Sequence, residues 1–166
     1  MPYYMYVALQ EDNKIAVLTI DAHTGTLTPQ GEVPVPGGPF TLAISPDRRF
    51  LYASLRNEPW SAASFAIDGQ TGKLTHLGNT PAFETMVNIC TDLTGRFLFS
   101  AANSPKGRRT GILSVASIGA QGVVQSPYVM QRTPPKLHAI QPDPTNRFIV
   151  GTSCDGNAIV RHRFDA

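Results

Sequence analysis

Ser45-Pro46-Asp47-Arg48-Arg49-Phe50-Leu51-Tyr52 decides the fold, because the chain writes the same phrase three times. It returns as Asp92-Leu93-Thr94-Gly95-Arg96-Phe97-Leu98-Phe99 and as Asp143-Pro144-Thr145-Asn146-Arg147-Phe148-Ile149-Val150. Phe50 to Phe97 is 47 residues, and Phe97 to Phe148 is 51. A second marker keeps the same period: Ile20-Asp21-Ala22-His23-Thr24-Gly25-Thr26-Leu27 and Ile67-Asp68-Gly69-Gln70-Thr71-Gly72-Lys73-Leu74 are again 47 apart. Two independent markers with one period define a structural repeat.

Within a period, four alternating or β-rich runs are each closed by Pro, Gly, Asn or Asp, so each reads as a short strand. In the second period these strands, A to D, are Thr41 to Ser45, Phe50 to Leu55, Ala62 to Asp68 and Leu74 to Thr80. The repeated phrase is the A–B turn; its polar residues are turn chemistry rather than catalysis. Four antiparallel strands repeated at this period form a propeller blade, whose apolar faces are buried only against other blades. The expected architecture is all-β, about half of a seven-bladed β-propeller. Its blades are expected at about 4–37, 40–80, 86–130 and 138–165, with 14 strands in the order B to D, A to D, A to D and A to C, the last ending in Ala158 to Asp165. The first blade lacks an A strand. That points to an N-terminal half of a longer protein or, alternatively, to a homodimer that completes the ring.

Composition agrees. Hydrophobic residues make up 42% of the 166, enough for a core. The 14 Gly and 14 Pro suit many tight turns. A net charge of +2, with no run of five or six basic residues, gives no reason to expect nucleic acid or a membrane surface as partner. Cys90 and Cys154 belong to no CxxC pair and are expected as reduced core thiols. The N-terminus, Met-Pro-Tyr-Tyr-Met-Tyr, has no basic region followed by an apolar stretch, so a cytoplasmic location is expected. No metal or cofactor motif is present, and neither group is expected.

Antiparallel order puts the D–A and B–C connections on one face and the A–B turns on the other. Arg49, Arg96 and Arg147 thus belong to the A–B face, and Arg56, Glu58, Lys106, Arg108, Arg109 and Lys136 to the opposite, loop-rich opening. His138 opens a strand A at that second face. Such openings bind ligands because several blades each donate one side chain. Arg56 offers a fork of donors for a carboxylate or phosphate, and His138 a proton acceptor near neutral pH. Lys136 and Arg109 are further candidates for substrate binding, although the basic loop 106–109 also reads as a solvated hairpin tip. Trp60 reads equally as channel lining or as a cap on the second blade.

Two strings resemble a known family. The stretch "PFTLAISPDRRFLYASLRNEPWSAASFAID", Pro39 to Asp68, is similar to the second blade of bacterial propeller lactonases, and "HAIQPDPTNRF", His138 to Phe148, resembles their "HS(I/V)xxDPxNRF" element. The resemblance implies metal-free hydrolysis of a sugar lactone such as 6-phosphogluconolactone. It implies Arg56 and His138 as site residues, by match to the family's Arg at the end of a blade's second strand and its His opening a later blade. Lys136 stands where many relatives have His or Asn. The family also contains carboxymuconate-cyclising propellers. The competing expectations are a non-catalytic interaction module and a truncated fragment without activity of its own.

Overall fold

Residues 3–103 and 110–165 are described by the computed structural model, and they form fourteen strands in four antiparallel sheets with no helix among them. The first sheet holds β1 (Tyr3–Leu9), β2 (Lys14–Ile20) and β3 (Leu27–Pro34). The second holds β4 (Pro39–Ile44), β5 (Phe50–Leu55), β6 (Ser61–Ile67) and β7 (Leu74–Pro81). The third holds β8 (Met86–Thr91), β9 (Phe97–Asn103), β10 (Gly111–Ser117) and β11 (Val129–Thr133), and the fourth β12 (Leu137–Pro142), β13 (Phe148–Ser153) and β14 (Ala158–Arg163). Strands pair with their sequence neighbours throughout, as hairpins joined by short turns require. The all-β blade architecture expected from the repeat is the one observed.

Period-two alternation decides where the core lies. Leu51, Ala53 and Leu55 point from β5 toward the first blade, where Ile15, Val17 and Val35 meet them. Tyr52, on the opposite face of the same strand, joins Met86, Ile89 and Leu98 of the third blade. Phe99 and Ala101 then face Leu137, Ile140, Ile149 and Phe164 of the fourth blade. The core is three layers, each between two blades. Each large apolar side chain buried this way contributes about 1.5–3 kcal/mol. Small residues let the sheets approach: Ser64, Ser100 and Ser114 are buried, and the Ser100 and Ser114 hydroxyls bond each other.

The A–B turns share one design with interchangeable parts. In the third blade Asp92 accepts hydrogen bonds from the backbone N–H of Arg96 and Phe97 at 2.8 and 2.9 Å, and Thr94 donates its hydroxyl to the same carboxylate. Asp143 and Thr145 repeat this in the fourth blade. In the second blade the roles are exchanged: Ser45 takes the Asp position and accepts from Phe50 N–H at 3.0 Å, while Asp47 takes the Thr position. One residue per turn must have positive φ. Arg48 (φ 60°), Gly95 (φ 71°) and Asn146 (φ 57°) supply it. Asn146 also crosses between blades, donating to Asp92 at 3.0 Å and accepting from Leu93 N–H at 2.9 Å.

β1 is an edge strand whose inner side pairs with no strand of the described residues. Beside it, on the A–B face, runs a cleft of about 780 Å³ lined by Tyr3, Tyr4, Tyr6, Ile44, Asp47 and Arg49. It lies at the end of the fold opposite to Arg56 and His138. Among the described residues no helix is long and apolar enough to cross a membrane.

Burial raises the Asp92 pKa, and hydrogen bonds from Thr94, Asn146 and the backbone outweigh that and hold it below the usual carboxylate range. The Thr145 hydroxyl, with backbone N–H groups and against a small cost of burial, holds Asp143 down to about 2. A folded pKa below the unfolded one means that the native state binds fewer protons, so stability is full above about pH 4 and is lost as pH falls toward 2. Chemical denaturation in that window should show Asp143→Asn with a shallower acid loss than the parent. Asp92→Ala, which strands three backbone donors (Thr94, Arg96 and Phe97) and the Asn146 amide, should cost about 2–4 kcal/mol at neutral pH.

Candidate functional site

Hydrogen bonds between connections build the opening. Arg56 N–H donates to Gly38 O and Asn57 N–H to Gly37 O, each at 2.9 Å, which joins the B–C connection of the second blade to the D–A connection entering it. Cys154 N–H donates to Lys136 O at 3.0 Å in the fourth blade. Asn13, from the first blade, accepts from Gly38 N–H at 2.8 Å and so ties neighbouring blades at the same rim, while Trp60 O accepts from Ala82 N–H at 2.9 Å where the β6–β7 pairing runs on into the connection toward the third blade. The D–A and B–C connections therefore share one face, as antiparallel order demands.

A β-bulge recurs at the start of every complete inner strand. Pairing slips by one residue between Pro39 and Leu42 in β4, between Met86 and Asn88 in β8, and between Leu137 and Ala139 in β12. A bulge turns a side chain out of the alternation. Phe40 and His138 stand at those slips and are exposed, whereas Pro39, Met86 and Leu137 beside the slips are buried.

Arg56 follows β5 directly. Its guanidinium lies 4.3 Å from the centroid of the Phe40 ring, a cation–π contact that orients the fork and leaves its N–H groups available. Among the described residues no carboxylate pairs with it and no acceptor takes a side-chain hydrogen bond from it, although Glu58 lies two residues away. Lys136 is different. Its Nζ is 3.4 Å from Asp155 Oδ1, an ion pair between exposed side chains, and its backbone is left-handed at φ 54°. His138 is exposed on β12. Arg56 and His138 thus stand on one rim in the second and fourth blades, with the third between them and no direct contact. Arg109, with Lys106 and Arg108, lies outside the described residues.

The third blade supplies polar groups that spacing does not single out. Glu84 is buried in the connection to β8 and accepts from Thr85 N–H at 3.0 Å through Oε1, while its Oε2, like Asn103 Oδ1, has no hydrogen-bond partner among the described residues. Asn88 on β8 accepts from Ile140 N–H at 2.9 Å across the blade boundary, and the Cys90 thiol donates to Ile140 O at 3.4 Å. The sequence signal for Asn88 is one amide inside the apolar run Met86-Val87-Asn88-Ile89-Cys90; Glu84 carries none. Trp60 is half-buried at the rim.

Cys90 conforms to the expectation of an inward thiol, but Cys154 does not. It falls in the B–C connection at the position of Arg56 in the second blade, past the end of β13, and is exposed. Both thiols are free.

The fold and rim define half of a β-propeller with a polar opening assembled from three blades. The chain belongs to the family described as Lactonase, 7-bladed beta-propeller, which it matches over residues 3–166. It is 36% identical over 149 residues to the 6-phosphogluconolactonase of Pectobacterium carotovorum and 35% identical over 150 residues to that of Yersinia pestis. Each match covers 90% of this chain and 42% of the relative, so the chain spans less than half the length of these curated relatives. Among solved structures, the periplasmic gluconolactonase of Pseudomonas aeruginosa superposes with a TM-score of 0.82 at 19% identity, over 98% of this chain and 50% of that one. A gluconolactonase of Xanthomonas campestris gives 0.56 at 20% identity, over 87% and 43%. At these identities the superpositions speak for the fold.

Burial pushes the Cys90 thiol up to about 12, with the Asp92 charge adding to the effect, so it is un-ionised and shielded at neutral pH. Titration with a thiol reagent should count one fast-reacting cysteine in the native protein and two after denaturation. Replacing Cys154 by Ser should abolish the fast one; two fast thiols in the native state would contradict this geometry.

Proposed function

We propose that the protein carrying this chain is a lactone hydrolase acting on a sugar lactone with an anionic group, 6-phosphogluconolactone or a close relative, without a metal. The observation that carries the reading is Arg56: a guanidinium stacked on Phe40, without a carboxylate partner among the described residues, on the same rim as His138. The curated relatives named 6-phosphogluconolactonase support the substrate class.

Arg56 binds the substrate's phosphate or carboxylate through charge-assisted hydrogen bonds. His138 accepts a proton from water as its oxygen attacks the ring carbonyl carbon, giving a tetrahedral oxyanion. Collapse of that intermediate breaks the ring C–O bond, and the proton returns from His138 to the departing alkoxide. The product is the open hydroxy acid, so one water is consumed and no oxidant or cofactor is needed. Lys136, half engaged by Asp155, adds positive charge around the anionic end. Two unpaired cysteines support a reducing, cytoplasmic setting.

Acid release from 6-phosphogluconolactone by the full protein tests this. His138→Ala should lower kcat by about 10²–10⁴-fold, the usual worth of a positioned general base. Arg56→Ala should raise KM about tenfold or more for the phosphorylated lactone and much less for neutral gluconolactone. A parent protein that does not exceed spontaneous hydrolysis, or a His138→Ala variant with an unchanged rate, would overturn the reading.

A further inference from the structure

A general base alone leaves the developing oxyanion without a donor, and neither Arg56 nor His138 fills that role while engaged as above. We propose that Asn88 is the group that polarises the lactone carbonyl, its Nδ2 donating to the carbonyl oxygen; the assignment rests on the lactonase reading.

Three observations lead there. The first is the bulge in β8, which breaks the alternation between Met86 and Asn88. Met86 is buried in the layer toward the second blade, while Asn88 reaches the fourth blade and meets Ile140 N–H at 2.9 Å.

The second is the direction of the amide. An N–H donor can be received only by the oxygen of the Asn88 side chain, so Oδ1 faces Ile140 and Nδ2 is turned away from it. Among the described residues Nδ2 donates to nothing, and the side chain is only partly buried. A donor held by its own partner atom is pre-organised, the property that makes such groups effective toward an oxyanion.

The third is position. Asn88 lies on the inner strand of the blade between Arg56 and His138, and it touches the strand that carries His138 two residues beyond that bulge-borne histidine. Two residues of strand are roughly 6–7 Å from Cα to Cα, so His138 and the Asn88–Ile140 contact border the same stretch of the rim. In the step already written, His138 takes the proton of the attacking water while Asn88 Nδ2–H bonds the oxygen that becomes negative. The same hydrogen bond is released when the carbonyl reforms and the ring C–O bond breaks.

The bland role of Asn88 is to satisfy Ile140 N–H, and a variant separates the two. Asn88→Asp keeps an acceptor for Ile140 and removes the donor; Asn88→Ala removes both without adding charge. With the full protein and 6-phosphogluconolactone, both variants should lose about 100–1000-fold in kcat with KM changed less than about threefold. Asn88→Asp should keep the parent's thermal midpoint, while Asn88→Ala should melt earlier. If either variant retains kcat within about threefold of the parent, or if only KM moves, Asn88 is structural and the assignment is wrong. A parent protein without hydrolysis removes the lactonase reading and this assignment with it.

Discussion

Every sheet in this protein has two faces to bury and only other sheets to bury them against. β5 and β9 show the constraint most plainly: consecutive residues are buried along each, because alternate side chains enter different layers. Leu51 and Tyr52 are adjacent in sequence and belong to separate cores. A blade is therefore not a stable unit, and its stability is a property of its contacts with its neighbours. The outer faces of the terminal sheets display the same constraint unmet, with Tyr3, Met5 and Val7 exposed at one end and Val150 and Ile159 at the other.

That layered packing is what permits a site. Turn carboxylates and hydroxyls pin one end of the second, third and fourth blades, and the Asn146–Asp92 link joins two turns across a blade boundary. The other end is freed from turn duty and built from bulges and paired connections. Phe40 and His138 stand at equivalent bulges in different blades, as Arg56 and Cys154 stand at equivalent positions after β5 and β13. One scaffold position thus holds a stacking ring in one blade and a histidine in another. The repeat fixes the geometry and leaves the chemistry to single residues.

Much of this is legible in the sequence because it is local. A turn that needs positive φ, a carboxylate beside backbone N–H groups, and alternation of period two all act over a few neighbouring residues, so the strands, their number and their order can be read directly. The sorting of Arg56 and His138 onto one face follows from antiparallel order alone. The expectation for Cys154 fails for a related reason: its surroundings look strand-like, but β13 ends at Ser153, and one residue of strand length separates a buried side chain from an exposed thiol.

The amino-acid sequence by itself determined the all-β repeat, the turn chemistry and the face on which Arg56 and His138 lie, since hydrogen bonding and alternation over a few residues settle all three. Only the tertiary structure decided that Arg56 rests on Phe40, that Lys136 is partly engaged by Asp155, and that Asn88 reaches across to Ile140. The Asn88 contact joins residues 52 apart in the chain, and it depends on a one-residue slip in strand pairing. No spacing in the sequence records that slip. It arises when a sheet's hydrogen-bond ladder and the packing of two blades have to be satisfied together.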